Sequence, residues 1–149
     1  MYKHILVAVD GSDTSDRALR EAINLAKDQR AMLRIVYAVD EVNINAGAEF
    51  VNPTEIADTW VKSGLEILDK AKNQAHAAGV HDAESRLIEI DKLRVSVADA
   101  IIENAKTWPA DLLVAGTHGR TGLGHLLMGS VAEGLVRICP VPILLIRGK

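Results

Sequence analysis

Glycines and a serine near residue 120 form the stretch of this sequence whose residue types best suit ligand binding. Gly116, Gly119 and Gly129 follow a short apolar run, and Ser130 follows the last of them. Glycine lets backbone N–H groups approach a ligand without a Cβ in the way. The first amides of a helix have no partners within that helix. A helix that begins near Ser130 would therefore present free amides and the positive end of its dipole, which together favour a phosphate.

The spacing of these glycines differs from two common phosphate-binding motifs. A P-loop would need Gly-Lys-Ser or Gly-Lys-Thr after a fixed gap, and this stretch has neither. The dinucleotide fingerprint Gly-x-Gly-x-x-Gly is excluded because Gly119, Gly122 and Gly124 have the two gaps in the opposite order. What remains is Gly116-x-x-Gly119, nine residues, then Gly129-Ser130. A long loop that only needs glycines for turns is the alternative interpretation.

Composition and charge limit the classes of protein. With 149 residues, 48% of them hydrophobic and 25% charged, we expect one soluble globular domain over residues 1–149. The net charge of −3 disfavours a nucleic-acid partner. A single cysteine excludes an internal disulfide. No apolar stretch approaches the roughly 20 residues of a membrane span, and the run at 5–9 is too short for a signal peptide. We therefore expect a cytoplasmic protein that does not bind membranes.

Short apolar runs alternate with helical patterns along the chain. Continuous apolar runs are typical of strands buried on both faces of a parallel sheet, and apolar residues three or four apart predict helices. The predicted strands are His4–Val9, Met32–Val39, Ala83–Ile90, Leu112–Ala115 and Val141–Ile146. The predicted helices run from Ser12 or Asp13 to about Gln29, from Asn52 to Gly79, from Ser96 to Trp108, and from Ser130 to Ile138.

The predicted elements imply where a ligand would lie. Strands that alternate with helices predict right-handed crossovers and a parallel sheet covered on both faces. In such sheets ligands bind beyond the carboxyl ends of the strands. Asp10, Ala38 and Gly116 all stand at predicted strand ends, so we expect one crevice to contain all three. The segment Asp40 to Val51 has no clear period and is interpreted as a lid or binding loop.

Over essentially its whole length the chain resembles the universal stress protein family, specifically its nucleotide-binding branch. Three segments carry the resemblance: Ile-Leu-Val-Ala-Val-Asp-Gly-Ser at 5–12, the glycine signature at 116–130 with its His118-Gly119-Arg120, and Cys-Pro-Val-Pro-Ile-Leu-Leu-Ile at 139–146. The resemblance implies a three-layer α/β fold with an open five-stranded parallel sheet in the order 3-2-1-4-5, the Rossmann-like fold of the adenine nucleotide alpha hydrolase-like class.

The resemblance also implies a site for an adenine nucleotide. The ligand would be ATP, ADP or AMP, with Mg²⁺ or Mn²⁺ bound through its phosphates. Asp10 and Gly116 correspond to positions that hold the ribose, and the backbone of Ala38 corresponds to the position that meets the adenine. The remaining positions are Gly119, Gly129, Ser130 and Val131 for the phosphates, with Ala8 and Ala115 lining the pocket.

Several of these residues have simpler interpretations. Asp10 could only form a turn with the residues that follow it, and Ser130 could be a plain helix cap. Arg120 and His118 could face the phosphates or remain solvated loop residues. The sequence leaves both alternatives open for each residue.

Binding is better supported than catalysis. Rapid phosphoryl transfer needs acids that hold a metal, a positioned nucleophile and a cation on the transferred group. Only Asp10, with Asp13 and Asp40 as neighbours, could approach a metal, so we expect ATP hydrolysis to be slow at most. A receiver domain would also place acids at strand ends, but it needs a lysine after the last strand, where this chain has Arg147. A third interpretation is a scaffold of the same fold that binds no nucleotide.

The last predicted strand suggests self-association. Pro142 removes a backbone donor, which favours an edge position for the segment Val141 to Ile146. An unprotected apolar edge tends to pair with another chain. Because members of the family commonly dimerise through this strand, we expect a two-fold homodimer.

Overall fold

The computed structural model describes residues 1–39, 53–90, 95–118 and 128–148, without the side chains of 53–57. Its strands are β1 (His4–Ala8), β2 (Met32–Val39), β3 (Glu84–Glu89), β4 (Leu112–Gly116) and β5 (Ile143–Ile146). Its helices are α1 (Asp13–Gln29), α2 (Pro53–Ala77), α3 (Val97–Thr107) and α4 (Ser130–Ile138). The predicted pattern is confirmed for each of these elements, with ends shifted by at most two residues.

The five strands form one parallel sheet in the order β3-β2-β1-β4-β5. From β1 the chain moves outward to β3 and then returns to β4 on the other side of β1. The implied strand order and the three-layer α/β class are therefore confirmed. The point where the direction of winding reverses lies between the carboxyl ends of β1 and β4, which is where such sheets bind ligands.

Local sequence explains where α1 begins and ends. The hydroxyl of Ser12 accepts a hydrogen bond from the backbone N–H of Ser15 at 3.2 Å, which caps the first turn. Arg30 adopts a left-handed conformation with φ of 55° and donates its N–H to the last carbonyls of the helix. The buried face carries apolar residues at helical spacing, namely Ala18, Leu19, Ala22, Ile23 and Ala26.

Each face of the sheet has its own hydrophobic core, because successive side chains of a strand point to opposite faces. In β1, Ile5 and Val7 belong to the core that α1 and α2 cover, whereas Leu6 belongs to the core under α3 and α4. Burying one such side chain fully contributes about 1.5–3 kcal/mol. The two cores hold β1, the central strand, rigidly between the helical layers.

The helix α4 is held in place by a close contact with α3. A Cβ on Gly134 would lie 2.8 Å from the Cβ of Ala98, so the two helices meet where one of them has no side chain. The single apolar stripe of α4 rests on the sheet through Leu135, which is fully buried. This packing fixes where the first turn of α4 lies.

The edge position of the last strand is confirmed by the sheet order. The strand is shorter than predicted, since it begins at Ile143. Just before it, the carbonyl of Pro142 accepts a hydrogen bond from Leu113 N at 3.0 Å. The predicted loop from Asp40 to Val51 and the predicted helix start at Asn52 lie outside the described residues. In the part of the chain that is described, no helix is long and apolar enough to cross a membrane.

Candidate functional site

Thr117 joins three elements at the carboxyl edge of the sheet. It follows β4 directly, and its N–H donates to the carbonyl of Ile146 in β5 at 2.9 Å. Its own carbonyl accepts the N–H of Gly129 at 2.7 Å, immediately before α4 begins. The first turn of α4 is thereby anchored beside the end of β4.

The amides at the start of α4 have no partners among the described residues. Gly129 is the N-cap residue and has no side chain with which to cap them. Between Gly129 and Glu133, whose N–H reaches back to the Gly129 carbonyl, no described group accepts a hydrogen bond from the backbone of residues 130–132. The alternative of Ser130 as a helix cap is wrong, since Ser130 is the first helical residue and its side chain is exposed. The free amides can receive an anion.

The glycine at 129 is not required by its backbone conformation. Its φ of −60° and ψ of 154° are open to any L residue. Serine, threonine, aspartate and asparagine are preferred at an N-cap because their side chains bond to the free amides. A glycine here leaves those amides without a side-chain cap.

Asp10 lies two residues beyond β1 and builds the turn into α1. Its Oδ1 accepts the N–H of Ser12 at 2.8 Å, and its own N–H donates to Ser15 Oγ at 3.2 Å. Ser15 is buried and donates its hydroxyl proton to the carbonyl of Ser12 at 3.0 Å. Asp10 therefore forms the turn into α1. Its second carboxylate oxygen has no hydrogen bond within the described residues and can still accept one from a ligand.

Four predicted pocket residues share one face of the sheet. They all belong to the core under α3 and α4, and they are Ala8, Ala38, Ala115 and Val131. The register pairs Val7 with Val114, which brings Ala8 next to Ala115. It also pairs Ala8 with Val36, and continuing it brings Asp10 level with Ala38. The three alanines leave space near the strand ends that larger side chains would fill.

Gly116 has a packing reason for lacking a side chain. A Cβ at this position would lie 2.7 Å from Thr14 Cγ2 and 3.3 Å from the backbone carbonyl carbon of Thr14. The helix α1 thus approaches the end of β4 so closely that no side chain fits between them. A glycine is needed here whether or not a ribose lies beside it.

The first turns of α1 and α4 differ in the acids they carry. The first turn of α1 carries Asp13 and Asp16, whereas the first turn of α4 carries one acid, Glu133. That carboxylate pairs with Arg137 at 3.2 Å on the exposed side of the helix. Within the described ranges, no three His, Cys, Asp or Glu side chains are grouped so that they could hold a metal ion.

The structure brings together eight of the ten predicted site residues at the carboxyl edge of the central strands. They are Ala8, Asp10, Ala38, Ala115, Gly116, Gly129, Ser130 and Val131. Gly119 and Arg120 lie outside the described residues. Sequence reasoning missed Thr14 and Thr117, whose contacts join segments far apart in the chain and follow no spacing rule.

An open parallel sheet in the order β3-β2-β1-β4-β5, with helices on both faces, defines a protein of the Rossmann-like class. The sequence model of the universal stress protein family matches residues 1–147. The chain belongs to this family.

Relatives of known sequence support the assignment over the full length. A universal stress protein of Methanocaldococcus jannaschii is 36% identical over 148 residues, which are 99% of this chain and 83% of the relative. The universal stress protein YxiE of Bacillus subtilis is 32% identical over 99% of this chain and the whole of its own length.

Solved structures of the family have the same fold. A universal stress protein from Burkholderia pseudomallei, 34% identical, superposes with a TM-score of 0.77 over 97% of this chain and 96% of its own. Another member, 30% identical, superposes with a TM-score of 0.70 and covers 97% of both chains. The latter was crystallised in complex with cAMP.

Proposed function

We propose that this protein binds an adenine nucleotide at the carboxyl ends of β1 and β4. The single observation that carries the proposal is the start of α4, where backbone amides without partners stand beside the strand ends. The cAMP complex of a relative that is 30% identical supports an adenine ligand. Both observations support our assignment of the chain to the nucleotide-binding branch of its family.

Each part of the nucleotide has suitable partners. Adenine N6 and N1 pair with a backbone carbonyl and N–H at the end of β2, near Ala38, and the ribose hydroxyls donate to Asp10 beside Gly116. The phosphates accept from the amides of Ser130 and Val131, which follow Gly129. The same role extends to Gly119 and Arg120 in the glycine signature, with Ala8 and Ala115 forming the pocket wall.

The expected affinity follows from the number of charged hydrogen bonds. Three or four such bonds at about 1.5–3 kcal/mol each, reduced by the free-energy cost of association, correspond to roughly micromolar binding of ATP, ADP or AMP. Any Mg²⁺ or Mn²⁺ would be held through the phosphates. Hydrolysis of ATP would be slow, because the described residues include no cluster of acids that could hold a metal.

Identification of the copurified ligand tests the proposal. Purified protein is denatured and the released small molecules are identified by mass spectrometry, and stripped protein is then titrated calorimetrically with ATP, ADP, AMP and cAMP. An adenine nucleotide released from the protein, or micromolar binding of one of the four, is the expected result. Recovery of none, with no heat of binding, would favour the scaffold that binds no nucleotide.

We also propose that the protein is a homodimer paired through the edge strand β5. All four of its side chains are only half buried, and α4, which packs against β5, exposes Val136 and Ile138. An apolar edge strand with unpaired backbone groups favours pairing with a second copy. The segment Val141 to Ile146 would form the centre of this interface.

Substitution of Leu144 in β5 tests the dimer. Leu144→Asp places a charge in the interface, and we expect the elution volume in size-exclusion chromatography to change from that of a dimer to that of a monomer. Val136→Asp weakens the same face without altering the strand. Leu65→Asp on α2 is the control, because Leu65 is as exposed as Val136, 52% against 51%, but lies outside the proposed interface. If Leu144→Asp and Val136→Asp both remain dimeric, the assignment of β5 to the dimer interface is wrong.

A further inference from the structure

Among the residues that the structure describes, two histidine ring nitrogens are buried without a hydrogen-bond partner, Nε2 of His118 and Nε2 of His76. Such groups are rare in folded proteins, because a buried polar atom without a partner loses the hydrogen bonds that water gave it. His118 stands two residues after Gly116, at the carboxyl edge of the sheet. His76 stands in the last turn of α2, at the opposite edge, with its ring 6.4 Å from that of His81.

The ring of His118 is held in place by Thr117. The Thr117 hydroxyl and His118 Nδ1 are 2.9 Å apart and share a hydrogen bond. Both backbone groups of Thr117 are also used, one toward Ile146 and the other toward Gly129. The imidazole is therefore fixed to the same backbone segment that anchors the first turn of α4, and only Nε2 remains without a partner.

The bond to Nδ1 decides what Nε2 can offer a ligand. When the threonine hydroxyl donates to Nδ1, the neutral ring carries its proton on Nε2, which becomes a hydrogen-bond donor. In the imidazolium form Nε2 is also a donor and carries positive charge. When instead Nδ1 donates to the threonine hydroxyl, the neutral ring has no proton on Nε2. The two forms that carry a proton on Nε2 can donate it to an oxygen, and phosphoryl oxygens are strong acceptors.

We propose that His118 Nε2 donates a hydrogen bond to a phosphoryl oxygen of the bound nucleotide and that Thr117 acts as the positioning residue. This inference rests on the proposed nucleotide site and adds to it a side-chain contact with the phosphate. It makes His118 a residue that distinguishes nucleotides from nucleosides. His76 has no such role, because it lies at the other edge of the sheet.

The test compares AMP with adenosine, which lacks only the phosphate. Calorimetry measures both ligands with the wild-type protein and with His118→Asn and His118→Gln. Glutamine can carry an N–H group to about the position of Nε2, whereas asparagine reaches only the position of Nδ1. We expect His118→Asn to weaken AMP binding by about tenfold and to leave adenosine binding unchanged. His118→Gln should recover most of the loss.

Two further variants separate the contact from a general effect on the fold. His76→Asn makes the same substitution at the other buried ring nitrogen without a partner, and we expect the affinity for both ligands to stay at the wild-type value. Thr117→Val removes the hydroxyl while keeping the backbone bonds. It should weaken AMP binding in the wild-type background and have no further effect in the His118→Asn background.

The possible failures are distinguishable. Equal losses for AMP and adenosine in His118→Asn, or no loss for either, would overturn the role of His118 while the nucleotide site stands. A wild-type protein that binds neither AMP nor adenosine would overturn the proposed function, and the inference with it.

Discussion

The helices α1 and α4 both begin at the carboxyl edge of the sheet, and their first turns differ in construction. The start of α1 has a serine cap, a second serine bonded back to the cap, and two acids. The Ser12 cap satisfies the amide of Ser15, and the two acids complement the helix dipole. The start of α4 has a glycine cap that contributes no side chain. The first construction stabilises the protein, whereas the second leaves its hydrogen-bonding capacity to a ligand.

The largest effect is expected from giving α4 the kind of cap that α1 has. Gly129→Asp adds a carboxylate that bonds to the free amides and repels phosphate. It should raise the free energy of unfolding by a few tenths of a kcal/mol and weaken nucleotide binding by roughly a hundredfold. Calorimetric titration and thermal unfolding measure the two quantities.

Gly129→Asn is the matched control, because it caps the helix without the charge. We expect it to weaken binding by only about tenfold, so that the ratio between the variants reports the charge of the ligand. If both variants bind ATP as tightly as the wild type, the amides of α4 do not hold the phosphates.

The next largest effect is a loss of stability at Gly116, a glycine that close packing requires. Gly116→Ala places a Cβ within 2.7 Å of Thr14 Cγ2, and we expect a loss of about 1–3 kcal/mol of stability. Adding Thr14→Ala removes that methyl group and should restore part of the loss, since the backbone contact at 3.3 Å remains. Urea unfolding of both variants measures this. A single variant as stable as the wild type would show that the gap between α1 and β4 is not tight.

A smaller effect on stability is expected from replacing a serine that caps a helix, and less still from replacing one that does not. Ser12→Ala removes the acceptor for Ser15 N and should lower the free energy of unfolding by about 1 kcal/mol. Ser130→Ala makes the same change in the first turn of α4, where the hydroxyl caps nothing, and should change stability by less than about 0.5 kcal/mol. Equal losses would contradict the assignment of Gly129 as the cap.

The smallest expected effect is a pH dependence of stability that arises at the start of α3. This helix is capped more completely than α1 or α4. The hydrogen bonds from the Ser96 hydroxyl and backbone N–H lower the pKa of Asp99 below its usual value. Since the folded pKa is the lower one, Asp99 stabilises the fold above its ordinary pKa, and this contribution is lost as pH falls through the lowered value. NMR titration should show the Asp99 pKa returning toward its ordinary value in Ser96→Ala.

The sequence was most informative where structure depends on neighbours along the chain. The starts of α1 at Ser12 or Asp13 and of α3 at Ser96 were predicted because capping needs only residues within one turn. The cap of α4 could not be predicted, since the helix start is fixed by Gly129 bonding to Thr117 across the glycine signature. A pattern of apolar residues cannot report a contact of that kind.

The amino-acid sequence by itself determined the alternation of strands and helices, because hydrophobic periodicity is a local property of the chain. Its glycine signature and its resemblance to known relatives also predicted a ligand site at the carboxyl edge of the sheet. Only the tertiary structure decided that Gly116 makes room for Thr14 and that His118 keeps a buried nitrogen without a partner. Both facts depend on side chains brought together by the crossover connections, whose distances no spacing along the chain encodes.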